Sequence, residues 1–328
     1  MELWSVKPHE KLSTKGRLSR DLEGEAVWLI TGKQGWKWSG EKWNKLDDVE
    51  IFEAPQYMGE PGISALKYED DFAFCKKNTD VVVVGRARSY AKKPVDTMEC
   101  RLLVDEHVDK TIKIVGQRHW VPHAGSITVS TSQKFIERET DYSHALGGEH
   151  YNRAGGGVAT SLKGYQERPV PSVFYPDENW QLNTNKVRVA GFGPLPAFFE
   201  ERTQFLGTYD EDWQENRRPL LPKDFDMRFY QCAPSDQQCK GFLLGGERLM
   251  LSGFSHDEVL DFRIPSQAFS AIAQIDGVDH LSDMPLHTVF IDADEAVITL
   301  TYTGSVVCKG KEHLLANTKI VEREAACL

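Results

Sequence analysis

Apolar positions along the chain come in short bursts, some alternating with polar residues and some unbroken, with turn-forming residues between them. That is the pattern of strands. Val81-Val-Val-Val84 followed by Gly85 predicts a strand buried on both faces and then a turn. Arg101-Leu-Leu-Val104, a polar Asp-Glu-His corner and Thr111-Ile-Lys-Ile-Val115 predict a hairpin. Thr288-Val-Phe-Ile291, Asp-Ala-Asp-Glu and Ala296-Val-Ile-Thr-Leu-Thr-Tyr302 predict another. Phe242-Leu-Leu244, Gly245-Gly246 and Leu249-Met-Leu251 read as a third, because paired glycines accept the positive φ of a tight turn. Val259 to Ile264 alternates. Helical character is confined to Asp210 to Arg217, with Thr208 as the candidate cap, and to Ser266 to Ile275. The expected fold class is mainly β: antiparallel hairpins in a sandwich-like body, with few short helices and a long Pro/Gly-rich central loop region.

The strand-rich stretches, about 78–120 and 242–303, pair hairpins at similar spacing and allow two similar β subdomains. Between them, 121–240 is dense in Gly, Pro and Asn, and long ordered loops of that kind are commonly functional surfaces. The division expected is a Trp-rich N-terminal hairpin or extension over 1–60 and an adaptor-like β domain over 61–328. The first part holds Trp4, Trp28, Trp36, Trp38 and Trp43. Within it, Ala26 to Thr31, then Gly32 to Gly35, then Trp36 to Trp38 read as strand, turn and strand. Aromatic and basic residues interleave there as in single-strand nucleic-acid binders. A tryptophan-rich hairpin packed on the main body fits the same residues.

Charge weighs on that choice. Lys and Arg number 39 against 49 Asp and Glu, a net charge of −10 in 328 residues, which argues against nucleic acid and against anionic membrane as partners. No stretch approaches a membrane span, and no early apolar run resembles a signal peptide, so the expected location is cytoplasmic. The six cysteines form no C-x-x-C pair; reduced thiols are expected, with Cys232 and Cys239 close enough in sequence to pair.

Catalytic chemistry is thinly represented. Asp210, Asp212, Asp224 and Asp226 offer carboxyls for glycoside hydrolysis if two stood ~5–9 Å apart. The same acids suit helix starts and turns. His119 and His123 are spaced i, i+4, but Pro122 opposes the helix that would align them; with His144 and His150 they make a conceivable metal set. Gly155-Gly156-Gly157 with Thr160 and Ser161 has phosphate-cradling character yet lacks a preceding strand and a lysine. There is no Gly-x-Ser-x-Gly elbow and no dinucleotide fingerprint, and no cofactor is implied. A binding protein is the expectation, with a carbohydrate-directed hydrolase as the alternative.

One region is distinctive. Gly191-Phe-Gly-Pro194, Gly207-Thr-Tyr-Asp-Glu-Asp-Trp213, Pro222-Lys-Asp-Phe-Asp-Met-Arg-Phe229 and Ala233-Pro-Ser-Asp-Gln237 follow one another closely. Upstream stand Asp80-Val-Val-Val-Val-Gly85, Gly116-Gln-Arg-His-Trp120 and Tyr142-Ser-His-Ala-Leu-Gly-Gly148, then Asn152. Over roughly 78–303 the chain resembles the bacterial adaptor/chaperone proteins, long catalogued only as a domain of unknown function, that accompany type VI secretion effectors. It departs from their pattern at His287-Thr288, where Asp-Thr is usual, and at Thr301-Tyr302-Thr303, where Trp-Arg is usual. The resemblance implies a non-catalytic cytosolic loader. Its partners would be a secreted effector protein or a PAAR-like spike tip, and by extension the spike protein. The motif residues it marks as frame or partner platform are Arg118, Trp120, Gly147, Gly148, Arg202, Gly207 and Tyr209. Asp210, Trp213, Asp224, Phe225, Asp226, Arg228 and Phe229 complete them. Arg202 and Arg228 are expected to pair with Asp210, Asp224 or Asp226, while Trp213, Phe225, Phe229 and Tyr230 anchor the loops on the β body.

Overall fold

The structure, a computed structural model, describes residues 4–148, 151–182, 188–257 and 259–323. It is mainly β, built from antiparallel sheets and three short helices, Leu162–Gln166, Glu200–Thr203 and Glu211–Asn216. The largest sheet runs in the order Ser13–Arg20, Ala26–Trp38, Val297–Val307, Leu286–Asp292, Asp80–Val84, with Trp43–Lys45 against the end of the second strand. Its one parallel pair joins Leu286–Asp292 to Asp80–Val84, whose five residues are all buried, as an unbroken valine run requires. A five-stranded sheet orders Val173–Phe174, Val108–Val115, Thr97–Val104, Arg248–Ser252 and Leu260–Arg263. Ala268–Ile275 lies between Val278–Met284 and Leu315–Arg323 in a third. All three sheets contribute to one continuous apolar core.

Several sequence expectations change. Ala26–Trp38 is one strand of 13 residues, with no turn at Gly32 to Gly35. A Cβ on Gly32 would come within 2.8 Å of Leu12 Cδ1 and 3.2 Å of Ile320 Cδ1, so that glycine permits close packing. Four of the five tryptophans do pack on the body, as one of the two readings had it, while Trp4 is exposed. Trp28 is buried and donates to Thr318 Oγ1 at 2.9 Å; Trp36, Trp38 and Trp43 lie against the core, and the Trp36 and Trp43 rings are 5.4 and 5.2 Å from that of Phe262. The hairpin expected over Phe242 to Leu251 does not form. Gly245 and Gly246 do take positive φ, but they turn the chain beneath Pro265 and Ser266, and Arg248–Ser252 pairs instead with Thr97–Val104 and Leu260–Arg263. Ser266 to Ile275 is not helical; Ala268–Ile275 is a central strand, because partners on both edges outweigh its local propensity. The two strand-rich stretches share sheets: Thr97–Val104 pairs with Arg248–Ser252, and Asp80–Val84 with Leu286–Asp292.

Helix Glu211–Asn216 forms where expected, but its cap is Asp210, whose Oδ1 accepts from Trp213 N at 2.9 Å, and not Thr208. Thr208 is already occupied with Asp224. Cys232 and Cys239 are separate free thiols, each raised to about 12 by burial. They pack in different apolar clusters.

Candidate partner platform

Residues 195–231 hold no strand, only the short helices Glu200–Thr203 and Glu211–Asn216 and a 3-10 turn at Met227–Tyr230, and side-chain bonds fix the chain between them. Asp224 accepts from Thr208 N at 2.9 Å and from Thr208 Oγ1 at 2.7 Å, closing the loop that Gly207 enters at φ +76°. These two bonds hold the exposed carboxyl below its ordinary value. Asp226 pairs with Arg228 through Nε at 2.9 Å and a terminal nitrogen at 2.6 Å, and accepts Arg228 N at 2.8 Å. Its carboxyl is thereby pulled down to about 2. The Arg228 guanidinium also covers the Phe205 ring at 4.3 Å. Of the expected arginine pairings, this one forms.

Arg202 does otherwise. It is buried, donates from Nε to Phe229 O at 3.0 Å and from Nη1 to Leu195 O at 2.8 Å, and meets Glu69 as its ionic partner. The expected partners Asp210, Asp224 and Asp226 are spent on local turns, which left Arg202 free to bind a carboxylate from another element. Phe225 is buried, whereas Trp213, Phe229 and Tyr230 are only half-buried, so the anchoring expected of all four falls mainly on Phe225. The three rings of Phe225, Phe229 and Tyr230 pack on one another within 5.9 Å. Trp213 packs edge-on against the exposed Tyr209 at 4.6 Å and donates to Leu220 O at 2.8 Å.

A second group of motif residues forms a separate frame. Arg118 donates to Pro171 O at 2.8 Å and to Asn179 Oδ1 at 3.1 Å, and burial lowers its pKa. Trp120 donates to Arg168 O at 2.8 Å and packs edge-on against Trp180. Gly147 and Gly148 are buried; a Cβ on either would lie within 2.4 Å of a carbonyl oxygen, of Asn152 and Val158 respectively. Asn152 fastens this turn by donating to Tyr142 O at 2.6 Å.

Sequence reasoning missed the charges that join these frames to the sheet. Glu69, Asp70 and Asp71 are consecutive, and each meets a cation from a different element: Arg202, Arg17 at 2.7 Å and Lys33 at 2.8 Å. Lys76 Nζ lies 2.6 Å from Asp80 Oδ2 and 3.0 Å from Thr288 Oγ1. Burial opposes its charge, yet Asp80 holds its pKa above the ordinary value. Gln231 Nε2 and Cys232 N complete the shell of Asp80, both at 2.7 Å. Lys110, also buried, donates to Asp236 and Gln237 from within the core, and burial lowers its pKa. The run of three acids before Phe72 was the available signal.

The alternative chemistries receive little from the geometry. Asp210 and Asp212 are occupied with Trp213 N and Asn216 Nδ2, and Asp224 and Asp226 are shifted toward ionisation, whereas a general acid needs a carboxyl held high. Among the described residues no group of three or more His, Cys, Asp or Glu side chains is placed to hold a metal ion. His119 and His123 are exposed, His144 Nδ1 faces Asp141 at 3.1 Å, and His150 lies outside the described residues. Gly155, Gly156 and Gly157 are buried against the chain at Ala145, Pro169 and Pro171, which leaves their amides no open cradle. No described helix is long and apolar enough to cross a membrane.

No curated protein and no solved structure matches the chain. A family model does, over residues 23–303, and so takes in the Ala26–Trp38 strand, both motif frames and the late hairpin. On that match the chain belongs to the family described as uncharacterized protein conserved in bacteria (DUF2169).

Proposed function

We propose that the chain is a non-catalytic adaptor or chaperone that holds a type VI secretion effector, or the PAAR-like tip of the secretion spike, in the cytosol and assists its mounting. One observation carries this reading. The distinctive residues of 195–231 are consumed in fixing the segment's own turns, and Arg202 bridges Phe229 O, Leu195 O and Glu69, which follows the strand Leu66–Tyr68. Such freezing of a long loop surface reduces the ordering cost of gripping another macromolecule. Half-buried aromatics beside exposed ones, Trp213 against Tyr209, are the residue types that dominate protein interfaces. The family resemblance supplies the partner class.

Co-expression with a type VI secretion effector from the same genome should yield a stable complex from clarified cytosol, and deletion of the chain should lower that toxin's level or export. A toxin that stays stable and is exported without the chain refutes the reading. Turnover of a polysaccharide by the purified chain, lost on Asp224→Asn or Asp226→Asn with melting unchanged, would establish the hydrolase in its place.

A further inference from the structure

The parallel pair of the large sheet ends at Val84 beside Asp292, and the next residues stay in contact, Ala293 N donating to Val84 O at 2.8 Å and Arg86 N to Asp294 Oδ1 at 3.0 Å. A cavity of about 330 Å³, within the size range of ligand pockets, borders this end of the pair and is lined also by residues 139–142. Val83, Val84 and Leu66 contribute apolar surface, and half-exposed Met58 stands among the lining residues. Three of the distinctive motifs converge here although none of the expected roles used them. Gly85 ends the valine strand at φ +138°, with no room for a Cβ, which would lie 2.9 Å from Ala293 Cβ. Tyr142 donates to Gly193 O at 3.1 Å, and all three residues line the space.

Charge selects the occupant. Glu139, Asp141, Asp292, Asp294 and Glu295 line the cavity against only Lys67 and Arg86, a formal charge of −3. Three of these acids are engaged: Asp292 with Tyr68 and the amides of Asp294 and Glu295, Asp141 with Ser143 and His144, Asp294 with Arg86 N and Arg88. Glu295 makes only an exposed 3.3 Å pair with Lys37. The half-buried Glu139 carboxylate takes no hydrogen bond or ion pair from any described residue. An aliphatic stem ending in a cation matches both the apolar surface and the acids. We infer that this cavity receives an arginine or lysine side chain of the partner polypeptide. The inference rests on the adaptor reading and gives it a point of contact lined by none of residues 195–231.

Titration of the ¹⁵N-labelled full chain with acetyl-Gly-Arg-Gly-amide should shift the amides of Gly85, Glu139 and Gly193, and the uncharged acetyl-Gly-Gln-Gly-amide should not. Glu139→Gln combined with Glu295→Gln should weaken the arginine peptide at least fivefold with unchanged melting. Met58→Lys, which brings a cation to the cavity lining, should do the same. Equal shifts from both peptides, shifts elsewhere, or variants that bind like the parent overturn the inference. Co-purification separates it from the adaptor reading. A secreted partner held equally by parent and variants leaves the adaptor standing and removes the cavity. Peptide binding at the cavity with no partner held by the parent does the reverse.

Discussion

The Lys76 ammonium lies 2.6 Å from the Asp80 carboxylate, and both side chains are sealed from water. Removing one partner leaves the other charged in the core, so Lys76→Met and Asp80→Asn should each cost about 3–5 kcal/mol. The double variant should cost less than their sum, since one deletion already abolishes the pair. Urea unfolding of the four proteins measures the coupling; strictly additive losses would show that the pair contributes nothing as a pair. Because the folded pKa of Lys76 is raised, this contribution is complete below the ordinary lysine value and is lost only as strongly alkaline pH passes the folded value.

Arg202 binds two carbonyls and Glu69 at once. Arg202→Met should cost about 2–4 kcal/mol, with Arg202→Lys recovering a minor part because an ammonium cannot reproduce the planar fork. Limited proteolysis should also open the chain around 204–224 in the methionine variant. Cleavage like the parent's would show that these bonds do not fix the loop.

His287 stacks on Phe242 with ring centroids 5.8 Å apart, and its buried Nδ1 has no hydrogen-bond partner among the described residues. Burial, then the charge of Lys76, pulls its pKa down to about 3. An unfolded histidine takes a proton near pH 6.5, so between the two values the unfolded state binds more protons and stability falls with falling pH. The slope is at most about 1.4 kcal/mol per pH unit. His287→Phe should flatten the profile between pH 6.5 and 4; an unchanged slope would assign it to other groups.

A methyl group at Gly147 would sit 2.3 Å from Asn152 O. Gly147→Ala should therefore cost about 1–3 kcal/mol or more, as overpacking against backbone does. A melting temperature equal to the parent's would mean that the turn yields freely.

Trp213 is only half-buried. Trp213→Ala should cost about 1–2 kcal/mol, below the ~3–5 kcal/mol of a core tryptophan. If it serves the platform, capture of the partner should fall more steeply than stability. A large loss of stability with partner capture intact would mark Trp213 as frame alone.

Much of the sheet was legible because buried strands announce themselves locally: the valine run at 81–84 and the hairpins near 104 and 292 formed as read. Ala268–Ile275 was misread since its edges are occupied by Val278–Met284 and by Leu315–Arg323, the latter 55 positions away at one end and 40 at the other (323 − 268 and 315 − 275). Gly32 suggested a turn because a local rule cannot see Leu12 and Ile320 pressing on the strand. Within the platform, Asp226 and Arg228 are two residues apart and readable, whereas Arg202 and Glu69 meet across 133 positions. Pairings of that reach leave no periodic trace.

The registry of Ala26–Trp38 on Val297–Val307, from Val27 opposite Val307 to Lys37 opposite Val297, joins residues 280 to 260 positions apart (307 − 27 and 297 − 37). During synthesis this largely apolar strand waits for its inner neighbour until residues through 307 have left the ribosome. Closing so wide a loop is slow, and the waiting edge is sticky. Chains that stop short of residue 297 should accordingly collect in inclusion bodies, and no amino-terminal portion of this molecule should serve as a soluble stand-in for the whole.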